Sequence, residues 1–310
     1  MADEFARIDR IARILGSKRS DVLLGIGDDA AVLAPSAGPT VLTVDASVED
    51  VHFRRAWMSF EDIGYRATVA ATSDVLAMGA RPTVAVAAWT IPAEFAENDI
   101  DALARGQRAA ADALGLVIVG GNLSRGPSLS ITTTVLGALG VAARPIPRSG
   151  ARAGDRLAIA GAVGEAALGL RALELGRADE APRAVAAFRR PPVQVGVHLE
   201  RALAALDVSD GLAQDVGHLA KASGLRAVID VAAVRARRAP EIDEAAKRLG
   251  VDQDLCELSG GEDYALVGAF TAQEALPAGF DPIGFLEAGE GVELLVGGVR
   301  SPAPLGYRHQ

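Results

Sequence analysis

Residues 25–33 read GIGDDAAVL, a glycine turn with two adjacent aspartates at its mouth. Two readings of this stretch lead to two different folds. As a loose G-x-G-x-x-A pattern it would open a dinucleotide-binding unit, where bare amides and positive potential cradle a pyrophosphate. As an acidic loop it would hold a cation instead. Asp28 and Asp29 supply negative potential, which opposes the first reading. No acidic ribose reader follows in a clean βαβ context. Neither a Walker A sequence nor a protein-kinase signature occurs in the chain. The acidic reading is the one that stands, and it calls for another nucleotide architecture.

The chain has 310 residues, a length typical of about two domains. It is 50% hydrophobic and 4% aromatic, so the core is built of Ala, Val, Leu and Ile. A formal net charge of -9 disfavours nucleic acid, whose phosphates need a basic face. Phosphorylated ligands remain open to such a chain if divalent cations intervene. The single cysteine, Cys256, rules out an internal disulfide and a Cys-based zinc site, and reads as a small buried hydrophobe in a reducing compartment. The start, MADEFARIDR, has no apolar signal segment. No apolar run approaches the ~20 residues needed to span a bilayer. A cytoplasmic location with no membrane association is expected.

Periodicity predicts α/β alternation with mixed connections. Phe5, Ile8, Ile11, Ala12 and Leu15 lie at helical spacing over 3–15, with Gly16 as C-cap. TVLTVD, 40–45, reads as a buried strand ending in a carboxylate. Helices are expected over 60–79 and 97–114. Strands are expected over 82–91, 116–121 and 128–139, with GGNLSRG (120–126) as a glycine turn after a strand. The Pro/Gly-rich segment 141–155 marks a domain boundary, giving domains 1–142 and 150–310. Beyond it, strands are expected at 155–161, 226–231 and 263–270. Helices are expected at 164–176, at 182–204 with a break at Pro191-Pro192, in a stretch after LDVSDGL reaching about 222, and at 240–249. His198 and His218 both fall on these helical stretches and read as structural. Trp57 and Trp89 read as core or interface.

The chemistry collects in aspartates at the ends of apolar stretches: Asp28-Asp29, Asp45, Asp74, Asp207 and Asp210, joined by Glu262-Asp263. Several stand beside Gly or Ser, unlike a solvated acidic face interleaved with Lys and Arg. Asp74 sits in an Ala-rich helical stretch with no basic neighbour at i±3 or i±4. It is either the N-cap of a new helix or a helix-borne metal ligand, and the second is favoured. Two unit charges about 4 Å apart cost about 4 kcal/mol at an effective dielectric of ~20. A convergent set must therefore be neutralised. An all-oxygen donor set points to Mg²⁺ or Mn²⁺, which complete their shells with phosphates and waters.

Seven motifs, GIGDDAAVL, VDASVEDVHF, SDVLAMGARP, GGNLSRGP, RSGARAGD, LDVSDGLAQDVGHLAKASG and LSGGEDYAL, stand in the order seen in the thiamine-monophosphate kinases. The chain resembles that family from about residue 5 to Tyr307. The family belongs with aminoimidazole ribonucleotide synthetase and selenophosphate synthetase. The resemblance implies a two-domain α/β (α+β) fold of the aminoimidazole ribonucleotide synthetase type. Its N-terminal domain has a mixed sheet with helices, binds ATP and Mg²⁺, and pairs across a homodimer. Its C-terminal α/β domain supplies metal and substrate residues. It implies transfer of the γ-phosphoryl of ATP to thiamine phosphate, giving thiamine diphosphate and ADP with several Mg²⁺ ions. Carried over residue by residue, Asp29, Thr43, Asp45, Asp74, Asn122, Asp207 and Asp210 would be metal ligands. Gly121, Asn122, Arg148 and Ser209 would contact ATP, and His52, Glu262 and Tyr307 would contact the thiamine moiety.

Chemistry agrees with this assignment. The acceptor phosphate is ionised at neutral pH, its second pKa being near 6, so no general base is needed and none is assigned. An acid and an aromatic face suit the thiazolium cation. Asn122 stands where many members carry Asp, and Val44 where many carry a hydroxyl residue. Selenophosphate synthesis needs a reactive residue near the N-terminus that this chain lacks, and the hydrogenase maturation member ends in a cysteine where this chain reads GYRHQ. Aminoimidazole ribonucleotide synthesis, and a non-catalytic nucleotide-binding scaffold, remain the alternatives.

Overall fold

A computed structural model describes residues 4–16, 19–27 and 30–304. Asp28, Asp29 and Tyr307 lie outside the described residues. Packing divides the chain into two compact units, Met1–Val75 with Ala80–Arg144, and Leu76–Gly79 with Pro145–Gln310.

The first unit runs α1 (Glu4–Leu15), β1 (Val22–Leu24), β2 (Val32–Leu33), β3 (Thr40–Val48), α2 (Phe60–Ala77), β4 (Arg81–Ile91), α3 (Glu97–Leu114), β5 (Val117–Arg125) and β6 (Ser130–Ala138). The last residues of α2 count with the second unit. The main sheet has the order β3-β6-β4-β5. β6 is antiparallel to both β3 and β4, and β4 is parallel to β5. α3 buries Ile100, Leu103, Ala104 and Leu114 at helical spacing and ends at Gly115 in the left-handed region.

Two sequence expectations change here. β3 does not end at Asp45 but continues to Val48, and it is an edge strand whose Leu42 and Val44 are exposed. GGNLSR is not a turn but the second half of β5. Parallel pairing with β4, from Val86↔Gly120 through Ile91↔Arg125, satisfies its backbone. Such pairing is invisible to local composition.

Ion pairs join α1 to α3. Arg7 Nε lies 3.1 Å from Glu97 Oε1, Arg10 also bonds Glu97, and Arg10 Nε lies 2.5 Å from Asp101. The two guanidiniums hold the Glu97 carboxyl at about 2, well below its ordinary 4.5. This stabilisation is fully present above about pH 4.5 and is lost as pH falls through about 2. Glu97 is about one-third exposed, so screening limits the contribution to about 1 kcal/mol. Glu97→Gln is expected to lower stability by that amount at pH 7. The gap to the parent should close towards pH 2 in urea titrations.

The second unit runs β7 (Arg156–Ala160), α4 (Glu165–Glu174), a 3₁₀ turn (Ala178–Glu180), α5 (Pro182–Arg189), β8 (Ala204–Val208), α6 (Leu212–Ala222), β9 (Arg226–Asp230), α7 (Val231–Arg235), α8 (Pro240–Leu249), α9 (Gln253–Ser259), β10 (Ala265–Phe270), β11 (Asp281–Glu287), β12 (Gly291–Val296) and β13 (Val299–Pro302). Its sheet order is β13-β12-β9-β11-β7-β10-β8, with β12 and β9 the parallel pair. One core cluster joins Leu157, Ile159, Leu206 and Val208 of the sheet to Leu212, Val216 and Leu219 of α6. Residues 190–203 are not helical. Pro191 and Pro192 cannot continue a helix, and Gly196 takes a left-handed φ of 78°. His198 therefore sits in an exposed loop, its Nδ1 3.2 Å from Glu200, and not on a helix. His218 does lie on α6, Trp89 is buried, and Trp57 is half-buried beneath the Arg54 guanidinium.

Candidate active site

In the first unit, Thr43, Asp45 and Gly121 lie on one face of the sheet. Register places Thr43 opposite Val135 and Asp45 opposite Thr133. The second row continues through Ala87 to Gly121. A Cβ at Gly121 would stand 1.9 Å from the Ala87 carbonyl oxygen, so only glycine fits. Asp74 is borne within α2, not at a helix start, and is half-buried. The Thr43 hydroxyl donates to its Oδ2 at 2.7 Å, tying strand to helix. Asp45 Oδ1 accepts from Ala46 N at 2.8 Å. Beside Asp45 in its row, the Thr133 hydroxyl is buried without a hydrogen-bond partner. Asn122 pairs with Ala88, in the row of Ala46 and Thr132. Successive rows face opposite sides, so the exposed Asn122 is not brought to Thr43, Asp45 and Asp74. His52 follows β3, and its Nδ1 accepts from Val48 N at 3.0 Å, which puts the neutral ring's proton on Nε2.

In the second unit the site residues collect at one end of the β8–β10 pair. Asp207 is buried on β8 opposite Leu266. β8 then leads into the turn Ser209–Asp210–Gly211 at the start of α6. The buried Asp215 closes that turn. Its Oδ2 accepts from the backbone N–H of Ser209 (3.0 Å), Asp210 (2.9 Å) and Gly211 (3.1 Å). Burial, with smaller contributions from Asp210 and Asp207, pushes the Asp215 carboxyl up to about 7, against the pull of these amides. Oxygens of Asp210 and Asp215 and a ring nitrogen of His218 lie within 4.8 Å of one another.

Across from this turn, Glu262 N donates to Ser209 O at 2.8 Å. The sequence motif LSGGEDY is thereby set against LDVSDGL. Arg148 is exposed, and its carbonyl accepts from the Ser223 hydroxyl at 3.4 Å. Residue-by-residue reading missed Asp215 and Tyr264, whose hydroxyl donates to Glu262 at 2.8 Å. An acid in the first turn of a helix that follows Ser-Asp-Gly was a usable signal for Asp215. Tyr264 gave none.

Oxygen donors dominate both groups, with negative potential concentrated and an orphan hydroxyl beside Asp45. This fits a hard divalent cation with phosphate and water in its shell.

Comparison with known proteins adds an independent line. The model of the family described as AIR synthase related protein, N-terminal domain, matches residues 27–139. The thiamine-monophosphate kinase of Mycobacterium tuberculosis is 40% identical over 285 residues, covering 91% of this chain and 84% of that protein. A structure of AaThiL complexed with AMPPCP and TMP superposes with a TM-score of 0.82 at 29% identity, covering 99% of this chain and 97% of that one. The crystal structure of thiamine-monophosphate kinase from Stenotrophomonas maltophilia gives 0.79 at 34% identity, covering 94% and 96%. Hydrogenase maturation protein HypE shares the fold, with a TM-score of 0.74 at 18% identity over 96% of this chain and 92% of that one.

Proposed function

The chain belongs to the thiamine-monophosphate kinase family, and from that premise we propose how its own residues carry the reaction. It is a kinase that phosphorylates thiamine phosphate to thiamine diphosphate, with ATP as donor and ADP as by-product. Thr43, Asp45 and Asp74 in the first unit, and Asp207 and Asp210 in the second, are read as ligands of Mg²⁺. Gly121, Asn122, Arg148 and Ser209 are read as nucleotide contacts. His52 and Glu262 are read as contacts to the thiamine moiety, and Asp29 and Tyr307 keep the roles the family resemblance gives them.

The observation that carries this reading is the Thr43–Asp74 hydrogen bond, which ties strand to helix and gathers oxygen donors on the sheet face that also bears Asp45. Bound magnesium would offset phosphate charge, which lets two anions meet in an acidic protein. The protein's own part is orientation and electrostatics. The ionised acceptor oxygen needs no proton removed, so positioning and charge neutralisation suffice.

The chain is also read as cytoplasmic and homodimeric. Support for the second comes from the edge strand β3, whose Leu42 and Val44 are 67% and 61% exposed. Edge strands with apolar faces are ready-made pairing surfaces. Among the described residues, no helix is long and apolar enough to cross a membrane.

The test is ADP release from ATP with thiamine phosphate or free thiamine as acceptor, with and without Mg²⁺. Thiamine diphosphate is expected from thiamine phosphate alone, and only with the metal. Product from free thiamine, or none from thiamine phosphate, overturns the reading.

A further inference from the structure

The segment Gly261–Tyr264 is held in a backbone conformation its side chains disfavour. Glu262 and Tyr264 have φ of 64° and 52°. A residue bearing a Cβ persists there only when its surroundings over-determine it, and such places cluster at functional sites. Here the restraints are visible. Glu262 N donates to Ser209 O at 2.8 Å, and Tyr264 N to Val208 O at 2.9 Å. Between them the buried Asp263 carboxylate accepts from Gly164 N at 2.6 Å and Ala166 N at 3.0 Å, at the start of α4. The mostly buried Tyr264 then donates its hydroxyl to Glu262 Oε2 at 2.8 Å.

The segment thus spends two side chains and the backbone of β8 on one direction. Asp263 pins the backbone from one side, and β8 pins it from the other. Tyr264 selects the rotamer of the remaining acid. A free glutamate would sample several rotamers and lose that freedom on binding. A pinned one is pre-organised, which favours a ligand that needs a carboxylate at that point.

We infer that Asp263 and Tyr264 are positioning residues that fix the direction of the Glu262 carboxylate and so set selectivity for a cationic acceptor, the thiazolium of thiamine phosphate. This rests on the reading of Glu262 as the thiamine-facing acid. The bonds of Asp263 go to backbone N–H groups and the Tyr264 hydroxyl goes to Glu262, so on this inference their loss should weaken acceptor recognition and leave the donor side alone.

Steady-state kinetics on the full chain separate this from a merely structural role. Tyr264→Phe removes one hydroxyl. It is expected to raise KM for thiamine phosphate about 3–10-fold, with KM for ATP within about twofold and kcat within about threefold. Asp263→Asn turns an amide NH₂ towards one of its two N–H donors, and should raise the acceptor KM further in the same direction. In a Glu262→Gln background Tyr264→Phe should add less than about twofold, because it acts through that carboxylate. The inference is overturned if Tyr264→Phe leaves the acceptor KM unchanged, if both substrates' KM values rise together, or if the effect persists undiminished in the Glu262→Gln background. If Asp263→Asn does not fold, the Tyr264 cycle decides alone. The unsubstituted chain in the same assay reports on the kinase reading itself. Failure there is distinct from failure of the variants against an active parent.

Discussion

Asp74→Asn should cut kcat by about 10²–10³ and leave the folded state intact, with Tm within about 3 °C of the parent. The geometry separates the two effects. Thr43 donates its hydroxyl to Asp74 Oδ2, and an asparagine carbonyl accepts that bond equally well. The strand–helix tie therefore survives. What disappears is a negative charge among the oxygen donors where the proposed Mg²⁺ would bind. Measuring kcat at saturating Mg²⁺, alongside a thermal melt, tests both halves. Near-normal turnover would remove Asp74 from the centre of the site. A collapsed melt would make its role structural.

Asp215→Ala should have the largest effect on stability, about 3 kcal/mol in urea unfolding, with activity lost in the same variant. One carboxylate oxygen accepts three consecutive backbone amides. Each buried donor left unpaired costs about 1–3 kcal/mol, and partial relaxation of the turn recovers some of the sum. Asp215→Asn keeps an oxygen for those amides and imitates the neutral acid that burial favours. It should lose less than about 1 kcal/mol. If the alanine variant is as stable as the parent, the turn holds its shape by other means and the carboxylate is not its clasp.

The sequence carried the fold where the signal is local. α3 stands at the span expected for it, 97–114, because a helix closes its hydrogen bonds within itself. The strands carry less. TVLTVD looks buried because β-branched and apolar residues run through it up to Asp45, yet sheet order makes β3 an edge. GGNLSR looks like a turn because it holds two glycines, yet a parallel neighbour makes it a strand. β11 to β13 escape the reading, since PIGFLE and GVELLV carry no strong period.

The site divides in the same way. Carboxylates beside glycine and serine announce themselves along the chain. Their company does not. The meeting of Ser209 with Glu262 depends on β8 and β10 being neighbours. The separation of Asn122 from Asp45 depends on a register that no composition records.

One contact also bears on how this protein reaches its native state. A side chain on Gly211 would run into the backbone of Ser259, 2.7 Å from its Cα. The chain leaves the acidic turn at one of these residues and returns at the other, having built α6, β9, α7, α8 and α9 in between. β9 lies inside the sheet, so this excursion is not an ornament that could be trimmed. Closing it carries the entropy of a long loop, offset only when the inner strand is seated. The acidic turn is therefore expected to acquire its shape late in folding, which hydrogen-exchange pulse labelling during refolding would show as late protection of Ser209–Gly211. On the proposed roles of Asp207, Ser209 and Asp210, a partially folded chain would lack the turn's ligand geometry, and nucleotide affinity would report on completion of the whole second unit.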